Sequence, residues 1–181
     1  MDNFAEQLVK KELTGGEKAK RMLLLVGGII MTILIAGFSL LLLGQGLLPF
    51  IGLMLAALTG YGTYFLVQNM YVEYEYTFTN GELDIDKIIA KKKRKSMLSV
   101  SVGKFKGFGR YDDETPEETD DMTVIFATSN IASEEYYADF EHDSYGSTRL
   151  VFCPNENMLE NMRKTLPRAL KVKLSKEDDQ N

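Results

Sequence analysis

The chain has 181 residues, a net charge of -5 and a charged fraction of 26%, and these averages resemble those of a soluble protein. The averages conceal residues 22–67, a block of 46 that contains no Asp, Glu, Lys, Arg or His. So long an uncharged block argues against a wholly soluble fold. The acidic balance argues against a nucleic-acid partner, and a single cysteine, Cys153, excludes an internal disulfide.

The N-terminal cytoplasmic segment, residues 1–21, contains a short apolar pattern among charged residues. Residues 2–13 (DNFAEQLVKKEL) predict an amphipathic helix, because their apolar side chains share one face at helical spacing. Those side chains are Phe4, Ala5, Leu8 and Val9. Such a helix would lie on the membrane surface or pack on the domain that follows.

The uncharged block, residues 22–67, divides into two apolar segments, residues 22–43 and 47–67, joined by Gly44-Gln45-Gly46. A helix needs about 20 apolar residues to cross a bilayer, so each segment is long enough to span one. So short a connection makes the two helices antiparallel, and the sequence predicts a transmembrane hairpin. The alternative, a buried helical pair in a soluble protein, would normally show a polar stripe, which these segments lack. The first segment also lacks a cleavage site, so we do not interpret it as a signal peptide.

Basic residues flank both outer ends of this hairpin and are absent from its turn. The positive-inside rule therefore predicts a protein of the cell membrane with two spans and both termini in the cytoplasm. The basic residues are Lys10, Lys11, Lys18, Lys20 and Arg21 before the first span, and Lys87 and residues 91–95 after the second.

Small residues recur every four positions in both spans, a spacing that lets helix backbones approach closely. We predict that they pack the two helices of one hairpin together, and homodimerisation through one of these faces is the alternative. They are Gly28, Thr32 and Ala36 in the first span, and Gly52, Ala56 and Gly60 in the second. The spans contain no ionisable side chain of the kind that a proton relay or an ion pathway needs.

Residues 68–170 predict a cytoplasmic β domain. Apolar and polar residues alternate over 71–79 and 82–88, and the Asn80-Gly81 pair between them is a strong hairpin signal. Further strands are expected at 96–102, near 105–110, and at 122–128, 134–141 and 147–153, all in antiparallel hairpins.

An amphipathic helix is predicted over residues 155–170, after the N-cap residue Asn155. Its apolar stripe is typical of a helix that packs on a core, and Pro167 should end or kink it. The stripe consists of Met158, Leu159, Met162 and Leu166. Residues 171–181 should form a disordered tail.

The stretch YEYTFTNGELDIDKI after the predicted hairpin, followed by SVGKFKGFGRY, resembles bacterial membrane proteins with a pleckstrin-homology-like (PH-like, YcxB-like) cytoplasmic domain. The resemblance covers roughly residues 20–170. The fold expected is an α+β membrane protein, with a two-helix transmembrane hairpin followed by a small antiparallel β-barrel or sandwich. About seven strands, capped by a C-terminal helix, would form that domain. The resemblance implies a binding or scaffolding role, because its motif has no catalytic signature.

The run KKKRK, residues 91–95, is the densest positive charge in the chain. The first strand begins close to the second span and the second strand returns, so the turn at 90–93 should lie near the lipid headgroups. Each basic residue near an anionic leaflet gains about 1 kcal/mol. We predict that the run binds the anionic inner leaflet of the lipid bilayer; a solvated hairpin that only obeys the positive-inside rule is the alternative. The binding residues would be Lys91, Lys92, Lys93, Arg94 and Lys95.

The opposite charge collects in DDETPEETDD, residues 112–121, which holds seven carboxylates in ten residues. This run lacks the spacing of a calcium loop, so we interpret it as a flexible, solvated loop distal to the membrane. His142 and Cys153, the only residues of their types, are expected in separate strands. We therefore expect no enzymatic activity, no metal and no cofactor.

The predicted function is that of a membrane-anchored, non-enzymatic adaptor or scaffold. Its cytoplasmic β domain would bind a protein partner or an anionic lipid surface. The alternative is an accessory subunit of a transporter or envelope enzyme, with the hairpin as the interaction surface.

Overall fold

The computed structural model describes residues 3–113, 115–129 and 134–172, which form two compact units. The helical unit consists of Leu13–Val72 and Ile89–Lys91. The β unit consists of the described residues of Met1–Glu12, Glu73–Ile88 and Lys92–Asn181. The β unit is thus built from three stretches of the chain and the helical unit from two.

The helical unit is built on α1 (Gly15–Leu41) and α2 (Leu48–Gln68). α1 begins seven residues before the predicted span, because Thr14 and Glu17 form a capping box. The Thr14 hydroxyl accepts from the Glu17 N–H, and the Glu17 carboxylate accepts from the Thr14 N–H at 2.8 Å. This cap satisfies two orphan donors and lets the charged residues 15–21 continue the helix.

Both helices are long and apolar enough to cross a membrane, and they are the two such helices among the described residues. Only 6% of the apolar window of α1 and 11% of that of α2 are buried. A core helix of a soluble protein would be mostly buried, so the exposure of these apolar side chains sets the pair apart from such helices.

The β unit contains eight strands in the described part of the chain, arranged as two four-stranded sheets with the orders β1-β2-β3-β4 and β5-β7-β8-β6. These orders include no pairing between the two sheets, so the strands do not close into a barrel. The strands are β1 (Phe4–Lys10), β2 (Val72–Thr79), β3 (Glu82–Ile89), β4 (Lys93–Ser101), β5 (Gly107–Arg110), β6 (Thr123–Ala127), β7 (Tyr136–His142) and β8 (Gly146–Phe152).

The first strand overturns one prediction, because Phe4–Lys10, within the predicted helix over residues 2–13, form a β-strand. Ala5 and Val9 are four residues apart, so they share a face in a strand as well as in a helix. Both are buried, and β1 pairs antiparallel with β2 along its whole length. The pairing with β2 selects the strand over the helix. This pairing joins residues that are far apart in the chain, so local spacing could not reveal it.

β1 also changes the organisation of the domain. It precedes α1 in the chain, whereas its partner β2 follows α2. The helical hairpin is therefore inserted into the β unit rather than placed before it. The predicted domain of residues 68–170 lacks this first strand, which is why about seven strands were expected and eight are observed.

Two tight turns join the strands of the first sheet. Asn80 and Gly81 have φ values of 50° and 97°, which confirms the predicted hairpin turn between β2 and β3. Ala90 and Lys91, between β3 and β4, have φ values of 54° and 56°. Neither is a glycine, so this second turn holds two residues in a conformation that L-amino acids rarely adopt.

The second sheet departs from the predicted series of antiparallel hairpins, because β6 pairs in parallel with β8. β5 and β6 lie at opposite ends of this sheet, so the connection between them, described at residues 111–113 and 115–122, must pass from one end of the sheet to the other. We call this connection the acidic strap. Arg149 Nη1 donates to the Pro116 carbonyl oxygen at 2.6 Å. The acidic run is thus held in its middle and is not simply a free loop.

The helix α3 (Glu156–Thr165) begins after Asn155, whose side chain accepts from the Met158 N–H at 2.8 Å. Met158 and Met162 are fully buried, which confirms that the methionine stripe belongs to the core. α3 ends before Pro167, earlier than predicted, and a separate helical turn follows over 168–172. The disordered tail predicted for residues 171–181 lies, from residue 173 onward, outside the described residues.

Candidate functional site

The predicted membrane-binding run, residues 91–95, is exposed throughout. It occupies the turn between β3 and β4 and the first residues of β4. Lys91 belongs to the helical unit together with Ile89 and Ala90, whereas Lys92, Lys93, Arg94 and Lys95 belong to the β unit.

The turn is held by Tyr71, three residues beyond the end of α2. The Ala90 N–H donates to the Tyr71 carbonyl oxygen at 2.8 Å. Arg21 Nη2 donates to the Tyr71 hydroxyl, and the guanidinium carbon of Arg21 lies 4.3 Å from the centre of the Tyr71 ring. Tyr71 therefore joins the polar end of α1 to the turn that begins the basic run.

Arg94 differs from the other basic residues of the run, because it forms ion pairs on the first sheet. Its Nη2 lies 2.8 Å from Glu75 Oε2, and its Nε lies 3.9 Å from Asp86 Oδ2. The Arg94 side chain is 59% exposed, so these pairs contribute about 0–1 kcal/mol to stability. They nevertheless direct one of the five predicted cations towards β2 and β3.

Four of the six predicted packing residues, Gly28, Thr32, Gly52 and Gly60, lie where α1 and α2 meet. A Cβ on Gly28 would fall 2.2 Å from Thr63 Oγ1, and one on Gly52 would fall 2.7 Å from the Ser39 side chain. A Cβ on Gly60 would lie 3.6 Å from Thr32 Oγ1. Ala56 is buried and Ala36 is half-buried.

The residues that these glycines accommodate were not among the predicted packing residues. Ser39 is buried, and its hydroxyl donates to the Pro49 carbonyl oxygen. Thr63 Oγ1 donates to the Thr59 carbonyl oxygen one turn earlier at 2.9 Å. Hydroxyl residues in an otherwise apolar segment often lie at contacts between helices, and this pattern could have identified both residues.

The described residues contain no group of three or more His, Cys, Asp and Glu side chains placed to hold a metal ion. His142 stacks on Tyr145 at 4.8 Å, and its Nδ1 accepts from the Ser144 N–H at 3.1 Å. Cys153 is buried. The geometry thus places His142 at the last residue of β7, beside a surface turn, and Cys153 in the interior.

Two buried polar side chains, which sequence reasoning did not identify, organise the β unit. The Tyr76 hydroxyl donates to the Ala127 carbonyl oxygen and accepts from the Cys153 N–H at 3.3 Å. Burial raises the pKa of Tyr76 above its ordinary value. Alternation along β2 predicted that Tyr76 points inward, but its hydrogen-bond partners lie 51 and 77 residues away.

The second buried group is Arg149, which is 1% exposed. It forms a bidentate pair with Asp139 on the neighbouring strand, at 2.7 and 2.8 Å. Hydrogen bonding to the Asp139 carboxylate raises the pKa of Arg149. The guanidinium carbon also lies 5.0 Å from the centre of the Tyr137 ring. Because Arg149 also holds Pro116, this pair fixes the acidic strap on the second sheet.

The end strands of the two sheets differ in the charged residues that they carry. In the described part of the chain they are β1, β4, β5 and β6. Charged residues protect the open edges of natural sheets. β1 carries Glu6 and Lys10, β4 carries Lys93, Arg94 and Lys95, and β5 carries Arg110. β6, with the sequence TVIFA, carries none, and its Phe126 is 52% exposed.

Comparison with known proteins identifies a family for this chain. A family model described as "Bacterial PH-like domain (DUF6106)" matches residues 1–172. No curated protein and no solved structure matched the chain. The match includes β1 and the hairpin as well as the remaining strands and α3, so the inserted helices lie within the matched region. The resemblance to a bacterial PH-like family is thereby confirmed.

Proposed function

The chain belongs to this family of bacterial proteins with a PH-like domain, and from that premise we propose that it is a membrane-anchored adaptor or scaffold without enzymatic activity. The α1–α2 hairpin spans the cell membrane, and both termini lie in the cytoplasm. The β unit binds a protein partner or an anionic lipid surface. PH-like domains are typically non-catalytic binding modules, which supports this role.

The observation that carries the proposal is the insertion of the apolar hairpin between the paired strands β1 and β2. The chain crosses twice between the β unit and the hairpin, through residues 11–14 and 69–71. Two short connections restrain a domain more than one flexible linker does, and restraint raises the effective concentration of the domain for targets near the anchor. A binding module gains from such restraint, whereas a catalyst of a freely diffusing substrate does not need it.

The basic run supports a membrane-facing role for the β3–β4 turn. Lys91 lies in the same compact unit as the apolar helices, and its neighbour Ala90 is hydrogen-bonded to Tyr71. Lysines that lie within a Debye length of an anionic leaflet, about 8 Å at physiological salt, are attracted to it. The uncharged edge of β6 supports a protein partner that adds an extended segment to the second sheet.

Site-directed labelling of the full chain tests the anchor and its orientation. In a Cys153→Ser background, Gln45→Cys in the hairpin turn should react in intact cells with a maleimide that cannot cross the membrane. Tyr145→Cys, on the exposed turn between β7 and β8, should react only after permeabilisation. Reaction of Tyr145→Cys in intact cells, or extraction of the protein by alkaline carbonate, would contradict the proposal.

The accessory-subunit alternative keeps one specific observation in its favour. Cβ atoms added at Gly27, Gly37 or Gly62 would meet nothing within 4 Å, so small residues also lie outside the contact between α1 and α2. Small residues on an outer helix face admit another transmembrane helix. Under this alternative, Gly37→Leu should abolish co-purification of a membrane partner. Under the adaptor proposal the β unit binds the partner, so Gly37→Leu should leave co-purification unchanged.

A further inference from the structure

An open groove of about 250 Å³ lies on α1, where its polar residues give way to apolar ones. Lys18, Arg21, Met22 and Leu25 line it. Their spacing of three, four and seven residues places all four side chains on one face of the helix. All four belong to the helical unit.

The groove is polar at one end and apolar at the other. Lys18 and Arg21 supply two cations within one helical turn, and the apolar part of α1 begins directly after them at Met22. Met22 and Leu25 are 70% and 39% exposed. A ligand that fills this groove must combine an anionic group with a hydrocarbon chain. A phospholipid has that structure, and an exposed apolar helix face next to the cations would be surrounded by phospholipids in a membrane.

Tyr71 holds Arg21 in place for such a ligand. The guanidinium group stacks on the ring at 4.3 Å and uses one N–H on the hydroxyl. A guanidinium group has five N–H donors in a planar fork, so the contact with Tyr71 leaves donors for a phosphate. Stacking also fixes a long side chain in advance, which lowers the entropy lost when a ligand binds.

The charges around the groove favour an anion. Glu17 is the acidic residue of α1, and its carboxylate already accepts from the Thr14 N–H at 2.8 Å and from the Thr14 hydroxyl at 3.1 Å. Lys20 on α1 and Lys91 in the turn held by Tyr71 add positive charge to the same unit. The unit therefore carries a concentration of cations beside an apolar surface.

We propose that this groove binds one anionic phospholipid molecule. The head-group phosphate contacts Lys18 and Arg21, and an acyl chain lies along Met22 and Leu25. The inference rests on the membrane insertion proposed above, and it adds a discrete, stoichiometric site to the diffuse attraction of residues 91–95.

The test is native mass spectrometry of the full chain, purified in mild detergent and supplied with phosphatidylglycerol or phosphatidylcholine. The wild-type protein should retain one phosphatidylglycerol and little phosphatidylcholine. The double variant Lys18→Gln/Arg21→Gln should lower phosphatidylglycerol affinity at least about tenfold, because two charge-assisted contacts are lost. Arg21→Lys, which keeps the charge but loses the planar fork, should fall between them.

Matched controls separate this site from general charge. Lys104→Gln/Lys106→Gln removes the same charge from exposed positions outside both the groove and the basic run, and it should leave the bound lipid in place. Tyr71→Phe removes the hydroxyl acceptor and should weaken retention less than the Lys18→Gln/Arg21→Gln pair. Helical circular dichroism in the same detergent verifies that each variant is folded.

Equal retention of phosphatidylglycerol by the wild-type protein and the folded Lys18→Gln/Arg21→Gln variant would overturn the proposal. Equal binding of the two lipids by the wild-type protein would overturn it as well. Failure of the membrane anchor would appear instead in the cysteine labelling. If labelling supports two spans while no discrete lipid is retained, only the present inference fails.

Discussion

Lys10 and Glu73 lie directly opposite each other on β1 and β2, although 62 residues, 11 to 72, separate them in the chain. In chain order the two membrane-type helices occupy the position that a tight turn holds in an ordinary β-hairpin. The β unit is therefore a discontinuous domain, and its first strand must be counted with the residues that follow the hairpin.

Replacing residues 11–72 with Asn-Gly should give a soluble, folded domain, because directly opposed residues accept a two-residue hairpin turn. A fragment that begins at residue 73 should not fold. It lacks the buried Ala5 and Val9, and it lacks Gln7, whose side-chain amide donates to the Cys153 carbonyl oxygen at 2.8 Å and accepts from the Asn155 N–H at 2.7 Å. Size-exclusion chromatography and urea unfolding measure both outcomes. A cooperative transition in the fragment at the midpoint of the hairpin-free domain would refute the requirement for β1.

Tyr76→Phe in this hairpin-free domain should lower the free energy of unfolding by about 1–3 kcal/mol, because the Cys153 N–H and the Ala127 carbonyl lose a buried partner. Tyr145→Phe removes a hydroxyl from a side chain that is 47% exposed, and it should change stability by less than about 0.5 kcal/mol. Urea midpoints compare the two variants.

Tyr76 also predicts a dependence on pH. Burial raises its folded-state pKa, so above about pH 10 only the unfolded chain releases the proton. The contribution of the neutral, buried Tyr76 to the free energy of unfolding is fully present below pH 10. Above pH 10 it declines by up to about 1.4 kcal/mol per pH unit. The stability of the parent should therefore fall more steeply than that of Tyr76→Phe between pH 10 and 11. Parallel curves for the two proteins would contradict this account.

Asp139→Ala should destabilise the hairpin-free domain by about 3–5 kcal/mol, since it leaves the buried Arg149 charge without its carboxylate. The double variant Asp139→Ala/Arg149→Met removes both charges and should recover most of that loss. Urea unfolding of the three proteins forms the comparison. A double variant less stable than Asp139→Ala would show that Arg149 contributes mainly through Pro116 and Tyr137.

Gly28→Val should weaken the contact between α1 and α2 by about 1–3 kcal/mol, because its Cβ would overlap Thr63. Gly27→Val is the matched control, since a Cβ at Gly27 meets nothing within 4 Å. Titration of the full chain with sodium dodecyl sulfate, followed by circular dichroism, measures both. Equal effects at the two neighbouring positions would place the helix contact elsewhere.

Ala90→Gly and Lys91→Gly should each stabilise the full chain by about 1 kcal/mol in the same titration with sodium dodecyl sulfate, because glycine adopts the positive φ of this turn without strain. Only Lys91→Gly removes a charge. Sedimentation of the hairpin-free domain with anionic vesicles should therefore show weaker binding for Lys91→Gly and unchanged binding for Ala90→Gly. Equal binding by the two variants would argue that the run is only solvated, and the change of all five basic residues to Gln extends the same test.

The sequence predicted the elements whose signals are local. The uncharged block, the Asn80-Gly81 turn and the methionine stripe of α3 each depend on spacing within one segment, and the structure contains all three. The strand over residues 4–10 could not be predicted in this way, because the spacing of Ala5 and Val9 fits both a helix and a strand. Only the pairing with β2 selects the strand.

The candidate site was predictable in composition but not in geometry. Charge alone identified residues 91–95, yet the diversion of Arg94 to Glu75 and the link from Ala90 to Tyr71 depend on contacts between distant segments. Arg21 was recognised only as a positive-inside residue. Its stacking on Tyr71, 50 positions later, carries no sequence signal.

The insertion of the hairpin between β1 and β2 has a consequence for biosynthesis. β1 leaves the ribosome first, but its partner follows only after 61 more residues, 11 to 71, have been made. At about 5–20 residues per second, that interval lasts roughly 3–12 seconds. Under the membrane anchor proposed above, the apolar helices are inserted during this interval, while β1 still lacks its partner. Completion of the first sheet therefore waits on the synthesis of both apolar helices, and β1 exposes an unpaired edge until β2 emerges.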